Sequence, residues 1–251
     1  MAFDGWENNI PPQSWDRMLA MDTGGSSPNA LIWTALDPDS GSLVAYDEVY
    51  EVTTDMRSLA DKALPKMTTL SQGSYHFRFK VIDYENKIAA EDMRRYGIEF
   101  DNAVKHNKML SVHRFSGYLH PNPRRPFPQW HPLAGQPGAP LFFITANCSN
   151  LIREIPQQRW KEGRGDTMKD EADRNVPNHA VDCCLYTVRL LPPAADVKIV
   201  APVLNTGPRI NTISALYWED VRKKREAKEP EQRQKYRSDH SHSIRKVIGL
   251  C

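Results

Sequence analysis

The first fifty residues contain three short apolar segments separated by turn sequences, and this pattern constrains the fold most strongly. The segments are residues 18–21 (MLAM) before a DTGG turn, residues 30–36 (ALIWTAL) before a DPDSG turn, and residues 43–50 (LVAYDEVY). Apolar runs of this length, bounded by Gly, Pro and Asp, are typical of strands. Because the turns between them are short, we expect three consecutive antiparallel strands.

The sequence that follows alternates between helix and strand patterns. In chain order the segments are a helix at 54–64, a strand at 77–82, a helix at 86–96, a strand at 141–144 and a helix at 178–191. Thr53 or Thr54 is a suitable N-cap for the first helix, and Gly97 closes the second. With the opening strands, these segments predict an α/β domain. Its mixed sheet has five strands, three antiparallel and then parallel ones, and is flanked by helices.

Three regions fall outside this regular pattern. Residues 1–16 are polar and include two adjacent prolines, residues 121–140 contain seven prolines, and residues 196–251 end in a segment rich in lysine, arginine, glutamate and glutamine. We therefore expect an N-terminal arm at 1–16 and one domain at 17–195. We expect a proline-rich loop at 121–140 to be inserted in that domain, and a C-terminal extension with a charged tail to follow at 196–251.

Bulk composition excludes some classes of function. The chain has 33 lysine and arginine residues against 31 aspartate and glutamate residues, so its formal charge of +2 gives no strong basic field. No stretch approaches the roughly 20 apolar residues that span a bilayer, so no membrane partner is expected. Four cysteines without metal-ligand or disulfide spacing fit a reducing, intracellular setting. No GxxxxGK[ST] motif is present, so the sequence predicts no phosphate-binding loop for a nucleoside triphosphate. If the chain works with an ATPase, that ATPase is expected on another domain or subunit.

Three aspartates stand where aspartate is poorly suited to structure alone. Asp22 ends the first strand, Asp83 ends the fourth, and Asp182 lies in an apolar stretch of the last helix. Burial of a carboxylate is costly and several together repel one another, but a divalent cation relieves both effects. Mg²⁺ and Mn²⁺ prefer such oxygen ligands, and a pair of ions stabilises the attacking and leaving oxygens of phosphoryl transfer. Each aspartate alone is also explained as a turn former or helix residue, so the hypothesis depends on all three.

Six short motifs add information through their order and spacing. They are MDTG at 21–24, YDEVY at 46–50, VID at 81–83, YGI at 96–98, NLIREI at 150–155 with Trp160, and NHAVDCCLY at 178–186. The series resembles the nuclease domains of tailed-phage terminase large subunits, which belong to the RNase H-like superfamily. The resemblance extends from Arg17 to Leu191. It has three departures. Many relatives have an acid where Asn178 stands and a proline after the residue that corresponds to Asp83, and the proline-rich loop is longer than the family pattern predicts.

The resemblance implies a divalent-metal-dependent endodeoxyribonuclease that hydrolyses DNA with metal-activated water. Asp22 and Asp83 would hold two Mg²⁺ or Mn²⁺ ions, and Asp182 would complete the site. Asn178 precedes Asp182 by one helical turn, so either could face the metal, and Asp182 is favoured as the carboxylate of the pair. Two accessory candidates remain, each with a plainer explanation. His179 could orient a water or a phosphate, or could simply be a solvent-exposed residue at the beginning of the helix. Glu48 could be a further metal ligand, or a paired residue at the strand edge.

The resemblance also implies partners. These are double-stranded DNA, an ATPase motor domain or subunit, the portal and the small terminase, all in the host cytoplasm, where concatemeric viral DNA is cut during packaging. Candidates for contacts to the DNA backbone are Arg78, Lys80, Lys105, Lys108, Arg124 and Arg125. Scattered basic residues usually belong to a solvated surface, so the hypothesis concerns the group. The tail from Tyr217, with its RKKR sequence at 222–225, is either a solvated helix or a further DNA-binding or assembly element.

Other functions fit the same pattern of aspartates. RNase H-like resolvases, transposase or integrase cores and exonucleases share it, because one fold supports many activities. A non-catalytic packaging or assembly module is the alternative from a different class, and Asn178 in place of an acid keeps it open. Binding of Mn²⁺ separates the two classes, since an assembly module should gain no stability from the metal.

Overall fold

The fold is known from a computed structural model, which describes residues 2–3, 6, 9–24, 26–69, 73–74, 76–83, 85–104, 107–158, 160–162, 168–172 and 176–198. The compact unit that contains them spans Met1–Pro202. The extension predicted at 196–251 lies outside the described residues from position 199 onwards, and so does the whole charged tail. No helix within the described ranges is both long and apolar enough to cross a membrane.

The strands, numbered in chain order, are β1 (Ala2–Phe3), β2 (Asp16–Asp22), β3 (Asn29–Leu36), β4 (Leu43–Glu51), β5 (Thr68–Thr69), β6 (Gly73–Ser74), β7 (Phe77–Ile82), β8 (Asp101–Asn102), β9 (Phe142–Thr145), β10 (Trp160–Glu162) and β11 (Met168–Ala172). The α-helices are α1 (Met56–Ala63), α2 (Lys87–Arg95), α3 (Lys108–Leu119), α4 (Ser149–Glu154) and α5 (His179–Arg189). Each predicted strand and helix of the domain is therefore present, with boundaries that differ by a few residues.

The main sheet has the predicted mixed topology. Its strand order is β1-β9-β4-β3-β2-β7-β8, with β2, β3 and β4 antiparallel and the remaining pairs parallel. The predicted count of five strands was too low, because the two-residue strands β1 and β8 pair at the edges. The strand β1 carries no periodicity in sequence, so only its pairing reveals it.

Successive side chains of the strands point to opposite faces of the sheet and build two cores. Met18 and Ala20 belong to the core under α3, α4 and α5, whereas Leu19 and Met21 belong to the core under α1 and α2. All four side chains are completely buried. Asp22 continues this alternation, so its position on β2 falls on the face that α5 covers.

Helix caps explain where the first two helices begin and end. Asp55 caps α1, because its side chain accepts a hydrogen bond from the backbone N–H of Arg57, so the predicted cap at Thr53 or Thr54 was wrong. Asn86 caps α2 in the same way. Gly97 follows α2 with a φ of +92°, a left-handed conformation that glycine adopts without the steric cost of a Cβ.

The N-terminal arm and the proline-rich loop pack on the same face of the sheet. Trp6 of the arm contacts Trp15 and Trp130, with ring centroids 5.3 and 5.0 Å apart. The guanidinium of Arg17 donates to the carbonyl of Pro11 at 2.8 Å, and the Trp130 indole N–H donates to Asp37 at 2.8 Å. The arm is thus less irregular than the sequence indicates, since β1 and Trp6 both join the folded domain.

Candidate active site

Two of the predicted aspartates lie at the carboxyl ends of neighbouring parallel strands. Met21 of β2 is in register with Ile82 of β7, and the backbone N–H of Asp83 donates to the carbonyl of Met21 at 3.2 Å. Adjacent strands are about 4.8 Å apart, so Asp22 and Asp83 are neighbours at one edge of the sheet. Both are buried, with 6% and 8% of their surface exposed. The parallel pairing therefore brings together residues that are 61 positions apart in sequence.

Helix α5 supplies two partners for Asp22. The Nδ1 atom of His179 lies 2.7 Å from Oδ2 of Asp22, and the Tyr186 hydroxyl donates to Oδ1 at 2.7 Å. Residues 179 and 186 are seven positions apart, which places them on one face of the helix. Both oxygens of this buried carboxylate are thereby engaged, and the orientation of the side chain is fixed.

The pKa of Tyr186 is influenced by all three predicted aspartates. Burial raises the pKa of the Tyr186 hydroxyl, and the negative charges of Asp22, Asp182 and Asp83 raise it further. One tyrosine thus senses all three carboxylates. The hydroxyl stays protonated at neutral pH and acts as a permanent donor to Asp22.

The pKa of His179 is also raised above its usual value. The hydrogen bond to Asp22 is the main cause, and the charges of Asp22, Glu154 and Asp182 add to it against the opposing effect of burial. A histidine with a raised pKa more readily holds a second proton near neutrality. Sequence reasoning favoured an exposed histidine at this position, whereas the His179 side chain is 17% exposed and directed at Asp22.

Asp182 faces the same region from α5, and a lysine neutralises it. The Nζ atom of Lys108, the first residue of α3, lies 2.8 Å from Oδ1 of Asp182, and the amide of Asn178 donates to Oδ2 at 3.0 Å. The Asp182 side chain is 13% exposed and that of Lys108 is 50% exposed. Asn178 is therefore a hydrogen-bond donor to Asp182 in this structure.

A buried glutamate that sequence reasoning missed holds the beginning of α5. Glu154, which is completely buried, accepts hydrogen bonds from the backbone N–H groups of Ala180 and Val181 at 2.9 and 3.1 Å. Its other oxygen accepts from the Tyr50 hydroxyl at 2.6 Å. Because the side chain of the N-cap residue Asn178 makes no capping bond, Glu154 takes that role from another helix. No local pattern marks such a residue, since its partners are distant in sequence.

Glu48, predicted as an accessory metal ligand, is engaged at another helix. Its carboxylate accepts from the backbone N–H groups of Asn150 and Leu151 at 2.8 and 3.2 Å, and from the Asn150 side chain at 2.7 Å. Glu48 lies on β4, which β3 separates from β2. The structure thus directs this carboxylate to the first turn of α4 and away from Asp22.

The chemistry of the donors fits a hard divalent cation. Asp22, Asp83 and Asp182 supply carboxylate oxygens, the ligands that Mg²⁺ and Mn²⁺ prefer. Within the part of the chain that the structure describes, no three His, Cys, Asp or Glu side chains are already arranged as metal ligands. Asp22 is instead bonded to His179 and Asp182 to Lys108. Binding of an ion would therefore require these side chains to exchange protein donors for the metal.

The predicted DNA contacts do not form one exposed surface. Arg78 pairs with Asp16 at 3.6 Å, and Arg124 is exposed, whereas Arg125 is only 6% exposed. Lys80 is half-buried on β7. Lys108 belongs to the aspartate site, and Lys105 lies outside the described residues.

Comparison with known proteins was informative at the level of three-dimensional structure. No family model matches the sequence, and no curated protein sequence matches it. A solved structure of the large terminase from a thermophilic bacteriophage, in complex with ADP, superposes with a TM-score of 0.55, at 13% identity over 73% of this chain and 41% of that one. Another structure of the same phage protein gives 0.54 at 12% identity, over 73% and 42%. The chain shares its fold with large terminases.

This likeness confirms the fold that the sequence motifs predicted, a mixed α/β sheet of the RNase H-like type. The chain spans about two fifths of the length of these two large terminase structures. The nuclease domain of the SPP1 large terminase with bound Mn also matches, with a TM-score of 0.48 and 13% identity over 69% of this chain and 85% of that one.

Proposed function

We propose that the chain is a divalent-metal-dependent endodeoxyribonuclease that cuts concatemeric viral DNA, as the nuclease part of a terminase large subunit. The observation that carries this proposal is the position of Asp22 and Asp83 at adjacent strand ends, covered by helix α5, which carries Asp182 and bonds to Asp22 through His179 and Tyr186. Two carboxylates at adjacent strand ends that face a third on a helix suit phosphodiester hydrolysis. The fold shared with large terminases supports the choice of this reaction over other activities of the fold.

The residues have separate roles in the proposed reaction. A Mg²⁺ or Mn²⁺ pair, when bound, supplies an activated water and neutralises negative charge on the phosphate. Asp22 and Asp83 would hold the ions from the sheet, and Asp182 would complete the site from α5. The Tyr186 hydroxyl keeps Asp22 in one orientation, because it donates to Oδ1 at 2.7 Å. His179, with its raised pKa, can hold a proton beside the carboxylate and orient a phosphate oxygen.

The proposed partners are the double-stranded DNA substrate, an ATPase motor domain or subunit, the portal and the small terminase, in the host cytoplasm. These partners are inferred from the role of large terminases in DNA packaging. The large terminase of the thermophilic phage was solved with ADP, and this chain matches only 41% of its length, so we infer that a separate domain or subunit binds the nucleotide. The nuclease activity itself is testable without any of these proteins.

Cleavage of supercoiled plasmid by the purified chain tests the proposal. We expect nicking and linearisation with Mn²⁺ or Mg²⁺, none with EDTA, and at least about a hundredfold loss in Asp22→Asn and Asp182→Asn, because each removes a charged ligand. Asp61→Asn is the matched control, since this aspartate lies on α1 with a side chain that is 69% exposed. An Asp22→Asn protein that cuts as fast as the parent would refute the assigned site.

A non-catalytic assembly module is the second candidate, and one observation favours it. Lys108 pairs with the Asp182 carboxylate and Asn178 donates a hydrogen bond to it, so protein groups compensate its charge without a metal. Thermal unfolding in the presence of Mn²⁺ separates the two candidates. A nuclease site should raise the melting temperature in proportion to ln[Mn²⁺], and Asp22→Asn should remove that rise. An assembly module should show no rise in either protein.

A further inference from the structure

A second cleft lies at the opposite end of α3 from Lys108. It has a volume of about 420 Å³, and its polar lining comes from Ser116, His120, Asn122 and Arg125. None of these residues belongs to the aspartate site. The cleft opens where the C-terminal turn of α3 meets the beginning of the proline-rich loop at residues 121–140.

Arg125 is the unusual member of this lining. It is 6% exposed, and its Nη1 atom has no hydrogen-bond partner. No ion pair links its guanidinium to any carboxylate among the described residues. Burial lowers the pKa of Arg125, which reflects the cost of keeping this charge away from water. A buried cation without a partner is rare in proteins unless a ligand completes it.

The C-terminal end of α3 offers Arg125 only partial compensation. Helix C-termini carry about half a negative charge and favour nearby cations. Its last carbonyls already accept hydrogen bonds, because His120 N–H donates to the Ser116 carbonyl at 2.9 Å and Leu141 N–H donates to the Tyr118 carbonyl at 2.9 Å. The helix end therefore leaves the hydrogen-bonding capacity of Nη1 unused.

The chain around this cleft has a strong local charge bias that the small net charge conceals. No aspartate or glutamate occurs between Asp101 and Glu154, and this interval contains four of the eight histidines. Its lysine and arginine residues are Lys105, Lys108, Arg114, Arg124, Arg125 and Arg153. A segment that contains only positively charged ionic side chains favours an anionic ligand.

The cleft and the aspartate site follow one another along α3. Ser116 lines the Arg125 cleft and also a cavity of about 230 Å³ that reaches Lys108, Asn178 and Asp182. A helix of twelve residues is about 18 Å long, which corresponds to about five base-pair steps along a DNA strand. One bound duplex is therefore long enough to occupy both positions.

We propose that the Arg125 cleft binds a backbone phosphate of the DNA whose scissile phosphate lies at Asp22, Asp83 and Asp182. This proposal rests on the proposed nuclease function. Arg125 would donate to phosphate oxygens through its planar guanidinium, with His120 beside it. The contact would fix the position of the duplex and would carry no information on base sequence.

Two measurements on the full chain test the cleft itself. The first is thermal unfolding at constant ionic strength with rising inorganic phosphate in place of chloride. We expect phosphate to raise the melting temperature of the parent and of Arg124→Gln, the exposed neighbour, but not of Arg125→Gln. Because the buried charge of Arg125 has no partner, its removal should leave the protein folded. Arg125→Lys keeps the charge without the planar geometry and should show a smaller rise.

The second measurement is the affinity for a short labelled duplex in EDTA, as a function of salt. Arg125→Gln should bind roughly tenfold more weakly, with a salt slope lower by about 1, whereas Arg124→Gln should lose less affinity. An unchanged phosphate response and duplex affinity in Arg125→Gln would overturn the proposal. A second outcome would also overturn it. If Arg125→Gln abolished the rise in melting temperature with phosphate but left the duplex affinity unchanged, the cleft would bind a free anion and not the DNA backbone.

Failure of the nuclease proposal is distinguishable from failure of this one. Both measurements are made without divalent metal, so neither requires cleavage. Loss of duplex affinity in Arg125→Gln together with no Mn²⁺-dependent cutting by the parent would retain the phosphate contact and reject the enzyme. Cutting by the parent with unchanged duplex affinity in Arg125→Gln would retain the nuclease proposal and reject the phosphate contact.

Discussion

Asp22 shows how neighbouring side chains fix the orientation of one buried carboxylate. This carboxylate is 6% exposed, and its two oxygens are bonded to His179 and to Tyr186. The two contacts engage both oxygens, so they hold this buried carboxylate in one orientation, as a metal ligand requires.

Tyr186→Phe should destabilise the metal-free protein. The substitution leaves Oδ1 of Asp22 buried without its donor, so we expect a loss of about 1–3 kcal/mol in the free energy of unfolding. Urea denaturation in EDTA measures this quantity. Tyr96→Phe is the control, because Tyr96 is 39% exposed and should change stability little. A loss equal to that of the control would mean that the Tyr186 hydroxyl does not support Asp22.

Lys108 occupies the electrostatic position of a cation at Asp182. Lys108→Met should tighten Mn²⁺ binding roughly fifteenfold, the effect of removing one unit charge about 5 Å from a doubly charged ion in water. Titration of Mn²⁺ against the protein at low salt provides the measurement. Lys62→Met is a matched control, since Lys62 is also 50% exposed and pairs with a carboxylate, Glu51. Unchanged or weaker binding in Lys108→Met would contradict the assignment of the metal to Asp182.

At the scale of elements, two glutamates, one half-buried and one completely buried, connect the sheet to helix α4 and helix α4 to helix α5. Glu48 of β4 caps α4, and Glu154 of α4 caps α5. Each supplies the negative charge that a helix N-terminus favours and satisfies free N–H groups. His179 and Asp182 lie in the first turn of α5, so their positions depend on Glu154. Glu154 acts indirectly, because its side chain is bonded to the backbone of α5 and to Tyr50.

Glu154→Gln should loosen the beginning of α5 without unfolding the protein. An amide accepts more weakly than a carboxylate, so hydrogen exchange at the Ala180 and Val181 amides should accelerate about tenfold, the effect of roughly 1.4 kcal/mol. Exchange measured by NMR resolves these amides. Glu48→Gln is the matched control, because it should accelerate exchange at Asn150 and Leu151 instead. Equal effects of both variants at Ala180 would show that the two caps are not separate.

At the scale of the whole molecule, two layers of helices around one sheet bury the three cysteines of the described residues. Cys148, Cys183 and Cys184 are completely buried in the core under α3, α4 and α5. Burial raises the pKa of all three thiols well above the usual value, with smaller contributions from neighbouring carboxylates. Since the thiolate is the reactive form, native packing should suppress their chemistry.

A thiol reagent tests this packing. In a Cys251→Ser background, the native protein should show no reactive thiol at pH 8 within the time that an exposed cysteine needs, and three after unfolding in urea. Ala146→Cys places a thiol at an exposed neighbouring position and should react at once. Rapid reaction of Cys148, Cys183 or Cys184 in the native state would show that the core under α5 opens readily.

The sequence determined the elements of this fold, because each carries its own local signal. Alternation and turn residues defined β2, β3 and β4, and apolar spacing defined α1, α2 and α5. Asp22 and Asp83 could also be selected from sequence, since a charged residue directly after an apolar strand is a local anomaly. The same reasoning failed for β1, because a two-residue strand has no period.

Only the tertiary structure decided how these residues meet. Four features of the structure depend on residues that are distant in sequence, and no local pattern predicts them. They are the capping of α5 by Glu154, the bonds from His179 and Tyr186 to Asp22, the pairing of Lys108 with Asp182, and the burial of Arg125. Secondary structure depends on neighbours within a few residues, whereas burial and ion pairing depend on which distant segments the sheet order brings together. The sequence could therefore supply the aspartates of the site, and the packing of α3, α4 and α5 supplied the groups that hold them.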